Sequence, residues 1–144
     1  MYTGVEIDMV VNDALKAFAT YQEIFASELV EKTDFPKGQN EVVFTIYGTR
    51  IHLLDENPEA GMQAPKDTIV PIWLNVMVPD IKETFQRAIH HGWKELVPLT
   101  DMSDFGVTNA VVADTFGYQW MLHQIYKEVS FEERKAMFEQ QMDE

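Results

Sequence analysis

The chain has 144 residues, enough for one domain with a substantial core, and its 46% hydrophobic content excludes a disordered polypeptide. A formal net charge of −13 repels phosphate backbones and argues against nucleic acid as a partner, and no apolar run reaches the about 20 residues of a membrane-spanning helix. Without cysteine there are no disulfides, thiolate metal sites or Cys nucleophile; with no basic-then-apolar stretch at the N-terminus, the expected compartment is the cytoplasm.

Val5 to Val11 alternates, with Glu6 and Asp8 on one face and Ile7, Met9 and Val11 on the other, as a half-buried strand does. Asn12 and Asp13 can cap a helix over residues 14–26, where Leu15, Phe18, Ala19, Tyr21 and Phe25 recur at helical spacing. Residues 27–32 read as a strand, 36–40 as a turn, and 41–55 as two strands hinged at Gly48. The first unit, about 4–57, is therefore β-α-β-β-β. Residues 58–68 hold Pro58, Gly61 and Pro65 without periodicity and read as a linker.

The pattern then restarts over about 69–126. Residues 70–78 are a strand, Pro79-Asp80 opens a helix that stops at Gly92, and 94–99 is a strand. Ala110–Ala113 and the Trp120-Met121-Leu122 run are strands joined through Asp114-Thr115-Phe116-Gly117. Asp holds such a turn by its side chain, and Gly takes the positive φ that other residues resist. The halves align residue by residue. Val11 falls on Val78, Asp13 on Asp80, Phe18 on Phe85 and Leu29-Val30 on Leu96-Val97 at a separation of 67; Val42-Val43 falls on Val111-Val112, Gly48 on Gly117 and Leu53 on Leu122 at 69. Agreement of cap, helix anchor and turn in order indicates duplication. The whole chain, 1–144, is expected to be one domain. A last helix at about 130–142 starts at Ser130 with Glu133 three residues on, and its Phe131, Phe138 and Met142 fall roughly on one side. Such a stripe needs a covering surface, and a homodimer would supply one.

Two tandem β-α-β-β-β units closing on Asp114-Thr115-Phe116-Gly117-Tyr118-Gln119-Trp120-Met121-Leu122 resemble the vicinal oxygen chelate superfamily, the group of glyoxalases, bleomycin-resistance proteins and extradiol dioxygenases. The turn is similar to the Asp-Pro-Phe-Gly-His-x-Trp-x-Leu of its PhnB-like branch, with Thr115 in place of proline, and residues 123–134 resemble that branch's tail. The resemblance implies an α+β fold with curved mixed sheets around a cleft, helices outside and a C-terminal helix. It also implies that the superfamily's four metal positions fall here on Glu6, His52, Trp73 and Met121. Indole offers only a donor and Met only a soft thioether, so two ligands remain, too few for a stable hard or borderline ion.

Strand alternation places the same residues on one face. Glu6, Asp8 and His52 lie there from the first unit, and Trp73, Asn75, Met121 and His123 from the second. Carboxylates, imidazoles, an amide, an indole and thioethers together suit a cleft for a small molecule. Asp8, two residues from Glu6 and so roughly 6–7 Å away, is expected to reach the same ion only if the strand bends. Three function classes stay open. The first is a small-molecule-binding protein without a catalytic metal. The alternative is a metal-dependent lyase, isomerase or dioxygenase, its divalent ion held by Glu6 and His52 with help from Asp8 or His123, the set Glu6, His52 and His123 being the one expected if a metal binds. The third is that the cleft is only a partner-binding or vestigial surface. His90-His91 is accounted for by the end of a helix, and Asp101, Ser103 and Asp104 by a polar loop at the cleft mouth. No phosphate-binding glycine loop and no Gly-x-Ser-x-Gly elbow occurs, which rejects a nucleotide-dependent methyltransferase.

Overall fold

The computed structural model describes residues 3–143. The first unit runs β1 (Asp8–Val11), α1 (Ala14–Ile24), β2 (Ser27–Lys32), β3 (Glu41–Ile46) and β4 (Thr49–Asp55). The second runs β5 (Leu74–Met77), α2 (Ile81–His90), β6 (Lys94–Met102), β7 (Val107–Ala113) and β8 (Gln119–Ile125), and α3 (Phe131–Met142) follows. The sheets have orders β1-β4-β3-β2 and β5-β8-β7-β6. In each, the first strand pairs parallel with the last and the rest pair antiparallel. These two four-stranded mixed sheets with three helices realise the expected tandem arrangement.

The helices begin where the sequence places them. Asp13 accepts from Lys16 N–H and Asp80 from Glu83 N–H, both at 3.1 Å, as N-caps do. A second device repeats with different chemistry. Asp55, at the end of β4, accepts from Ala14 N–H at 2.7 Å; Gln124, 69 residues on, accepts from Ile81 N–H at 2.9 Å. Each unit thus ties its helix start to its last strand.

One apolar cluster serves both units. Met9, Val11, Ile51 and Leu53 face α1, while Ala110, Val112, Trp120 and Leu122 continue the cluster from the second sheet. Tyr21 of α1 is its hinge: its ring stacks on Phe44 and meets Trp93, Phe116 and Trp120 of the other unit. Its hydroxyl donates to Asp114 Oδ2 at 2.5 Å, and Trp120 Nε1 donates to the same oxygen at 2.9 Å. The other oxygen accepts from the N–H groups of Phe116 and Tyr118. Four donors therefore satisfy one buried carboxylate.

Several boundaries differ from expectation. β1 starts at Asp8 and not Val5, although His52 N–H still donates to Ile7 O ahead of it. β5 covers only Leu74–Met77 of the expected 70–78, because Pro71 cannot donate to a ladder and the segment bends there. β6 extends past Leu99 to Met102, carrying Pro98 within a register irregularity on an edge strand, where proline is tolerated. The repeat is also off by one on β7. Leu53 pairs with Val42, but Leu122 pairs with Ala110, so Val42 corresponds to Ala110 and not to Val111. The cause is the turn. Two residues, Tyr47-Gly48, separate Ile46 from Thr49, whereas Asp114 N–H bonds Tyr118 O around three, Thr115–Gly117. The extra residue is used: Phe116 enters the shared core.

α3 is N-capped by Ser130, which accepts from Glu133 N–H at 3.1 Å, but none of its described residues is buried. The strap before it is pinned at Gly106, whose carbonyl accepts from the N–H groups of Tyr126 and Lys127. A Cβ at Gly106 would lie 2.2 Å from Lys127 O, so only glycine admits this approach.

Candidate functional site

On the first sheet, parallel pairing of β1 with β4 sets Asp8 beside His52. Glu6 lies two residues back on the same face. His52 Nδ1 stands 2.7 Å from Glu6 Oε1 and 3.5 Å from Asp8 Oδ1, and its Nε2 is 3.4 Å from Glu41 Oε2 without a hydrogen bond. Arg50 Nε is 3.7 Å from Glu6 Oε2. One imidazole nitrogen and one oxygen each from Glu6 and Asp8 lie within 4.8 Å of one another. Asp8 therefore joins Glu6 and His52, with Glu6 lying ahead of the regular strand, which starts at Asp8.

The electrostatics follow from this crowding. His52 is only 17% exposed. Burial pulls its pKa down, but the Glu6 hydrogen bond and the charges of Asp8, Glu6 and Glu41 outweigh that pull and raise it. The hydrogen bond from His52, then that with Asp8, lowers the pKa of Glu6. Burial, then the hydrogen bond and charge of Glu6, raises that of Asp8. Two neighbouring carboxylates pushed apart in this way, beside an imidazole, are a donor set that suits a divalent cation or an acid–base pair.

On the second sheet the corresponding face carries no carboxylate at the positions of Glu6 and Asp8 and mixes thioethers with Asn75, Asn109 and His123. Met121 and His123 of β8 line a pocket of about 790 Å³ together with Asn109 and Val107 of β7. Met102 and Phe105 flank it, and α3 roofs it with Arg134 and Phe138, whose ring lies 5.3 Å from that of Phe105. Asn109 is paired directly across from His123. The Asn109 amide donates only to Met102 Sδ, at 3.2 Å, and His123 Nδ1 is buried without a partner among the described residues.

The sequence-derived residues thus fall into two groups. Glu6, Asp8 and His52 come together on one sheet, and Met121 and His123 on the other. His123 lines the second pocket and stands outside the Glu6–Asp8–His52 set, so the alternative metal set Glu6, His52 and His123 is not assembled within the chain. Asn75 pairs with Met121 on the expected face but is exposed outside that pocket. Trp73 precedes β5 and is 55% exposed, neither beneath α2 nor in the pocket lining. Sequence reasoning did not reach Glu41 or Asn109. The pairing of β7 with β8 would have located Asn109, but only with the correct turn length. Asp101 accepts from Tyr126 Oη at 2.6 Å at the end of β6, and Ser103–Phe105 forms a 3-10 turn.

Residues 5–122 match the model of the Glyoxalase/Bleomycin resistance protein/Dioxygenase superfamily. An uncharacterised protein of Mycobacterium bovis is 30% identical over 140 residues, covering 94% of this chain and 91% of that protein. Among solved structures, the fosfomycin resistance protein FosX of Listeria monocytogenes, complexed with Mn(II) and sulfate, superposes with a TM-score of 0.67 at 19% identity, over 96% of this chain and 99% of the other. A glyoxalase/bleomycin resistance protein/dioxygenase family enzyme of Burkholderia phytofirmans gives 0.66 at 16% identity, over 83% and 96%.

Proposed function

The chain belongs to the glyoxalase/bleomycin resistance/dioxygenase superfamily, and from that premise we propose that it binds a small molecule in the pocket between its second sheet and α3. The observation that carries this reading is the pocket's make-up: thioether, aromatic and branched side chains with two polar groups on the floor, the usual composition of a ligand site. The turn Asp114–Leu122 and the tail after it support placement in the PhnB-like branch. The exposed Phe131 and Met142 of α3 support a homodimer, and the acidic, cysteine-free composition a cytoplasmic one. The two units work as one domain around their shared core.

A second reading is favoured by a separate observation, the Glu6–Asp8–His52 set. Three donors within 4.8 Å match the three protein ligands of an open catalytic site, and Mn(II) is bound in the FosX structure. Here Glu6, Asp8 and His52 would hold a divalent ion, which supplies Lewis-acid polarisation of a substrate oxygen. The chain's own part is to present two carboxylates and Nδ1 of one imidazole, with Arg50 orienting Glu6. The function would then be that of a metal-dependent lyase, isomerase or dioxygenase.

Native mass spectrometry with elemental analysis, on protein purified without chelator, separates the two readings and reports the oligomeric state. A small organic adduct without stoichiometric metal is the expected result. One equivalent of Mn, Zn, Ni or Fe that survives dialysis and is lost in His52→Ala would overturn the metal-free reading and put the second in its place.

A further inference from the structure

We propose that the pocket beneath α3 takes an uncharged, mainly apolar molecule with a single hydrogen-bonding head, a hydroxyl or a carbonyl, and that Asn109 and His123 together receive that head. This rests on the reading of the pocket as a ligand site and adds its chemistry.

The head is inferred from one unmatched and one weakly matched polar group. His123 Nδ1 is buried with no partner among the described residues, and the Asn109 amide has only a thioether, a weak acceptor. Buried polar groups in folded chains are nearly always matched, so His123 Nδ1 marks a place where something else completes the hydrogen bonding, and the half-buried Asn109 amide beside it can exchange its weak thioether bond for the same group. The two are direct cross-strand partners on one face, which puts their Cβ atoms roughly 4.5–5.5 Å apart. One small polar group can touch both. An imidazole and a carboxamide between them offer donors and acceptors, as a hydroxyl or carbonyl requires.

The lack of charge is inferred from the floor and the rim. The floor residues Met102, Val107, Met121 and Ile125 surround the Asn109–His123 pair without a carboxylate, ammonium or guanidinium group. At the rim Lys127 and Arg134 are balanced by Glu128 and Glu133. A buried ion would find no carboxylate, ammonium or guanidinium group at the polar end, and an anion would also meet the field of a chain with net charge −13. The apolar body is matched by Met102, Met121, Phe105 and Phe138; unbranched thioethers adapt to varied shapes.

Three probes with one bicyclic body test this on the full chain by cosolvent-matched NMR chemical-shift titration: naphthalene, 2-naphthol and 2-naphthoate. The expected order is 2-naphthol about tenfold tighter than naphthalene, the effect of one good hydrogen bond, with 2-naphthoate weakest. Asn109→Leu and His123→Leu should each bring 2-naphthol to the level of naphthalene while naphthalene binding persists, which also reports that the pocket is intact. If either variant fails to fold, Asn109→Ala and the three-probe order on the native chain decide. Equal binding of 2-naphthol and naphthalene, or strongest binding of 2-naphthoate, would overturn this inference and leave the pocket as a ligand site. Absence of binding by all three would overturn that underlying reading as well.

Discussion

Tyr21→Phe removes one oxygen and little else. The ring remains held by Phe44 at 6.2 Å, Trp93 at 5.7 Å, Phe116 at 5.6 Å and Trp120 at 5.3 Å. What disappears is the hydroxyl that donates to Asp114 Oδ2, leaving that oxygen with Trp120 Nε1 alone. A hydrogen bond to a charged group contributes about 1.5–3 kcal/mol net. For 144 residues the unfolding entropy is on the order of 300 cal/mol/K, so the expected fall in Tm is about 5–10 °C.

The pH dependence carries a sign that makes the test sharper. Burial pushes the Asp114 carboxyl up, and the hydrogen bonds from Tyr21, Tyr118, Trp120 and Phe116 hold it back without cancelling the rise. Because the folded value lies above the unfolded one, its stability contribution is full below the unfolded carboxylate range and is lost as pH rises through the folded value. Loss of the Tyr21 hydroxyl removes one opposing pull and raises the folded value further. The variant's deficit is therefore largest near neutral pH and shrinks as pH falls through the Asp114 pKa. Trp93 and Trp120 adjoin Tyr21, so fluorescence-monitored thermal unfolding at neutral and mildly acidic pH reads the effect directly. A Tm within about 1 °C of the parent at neutral pH, or a deficit of constant size into acid, would refute the assignment of this hydroxyl.

Two further outcomes follow from named contacts. Imidazole titration by NMR should give His52 a midpoint above the ordinary histidine value, falling in Glu6→Gln as the carboxylate 2.7 Å away loses its charge; stability from protonated His52 is present below its unfolded pKa and fades as pH rises through the folded one. Asp55→Ala strips the acceptor from Ala14, Gly38 and Asn40 N–H and should cost about 3 kcal/mol or more in urea unfolding, whereas Gln124→Ala frees only Ile81 N–H and should cost about 1–2 kcal/mol.

Much of the fold was legible because it is written in local chemistry twice. Asp13 and Asp80 announce the helices, and alternation around Met9, Val11, Leu53 and Leu122 marks the faces that meet them. What failed was counting across a loop. The matched Val-Val pairs suggested one separation through the hairpin, but ladders are counted from the turn, and a single added turn residue moves Val112 into the core while Val43 faces the other way. The site was legible to the same degree. Period-two alternation gave the face shared by Glu6, Asp8 and His52, but it carries no information on side-chain reach or on how two sheets turn relative to each other. Hence neither the closeness of Asp8 to Glu6 nor the separation of His123 from His52 could be read in advance.

The repeat itself shows where the two units divide their roles. At positions that hold structure the chemistry is kept or replaced by an equivalent: Asp13 by Asp80, Asp55 by Gln124, each accepting from its own helix. At the cleft-facing positions it is not. Glu6 corresponds to Trp73, Asp8 to Asn75 and His52 to Met121, so every ionisable group of the first face gives way to a neutral one in the second. A face of carboxylates and imidazole keeps its groups partly solvated and close together, as a cation or a proton-transfer pair requires. The second face can instead be roofed, and α3 roofs it, because its floor has few polar groups to strand. Asn109, with only a thioether for its amide, and His123, whose Nδ1 has no partner among the described residues, are the ones left to recognise what the pocket holds.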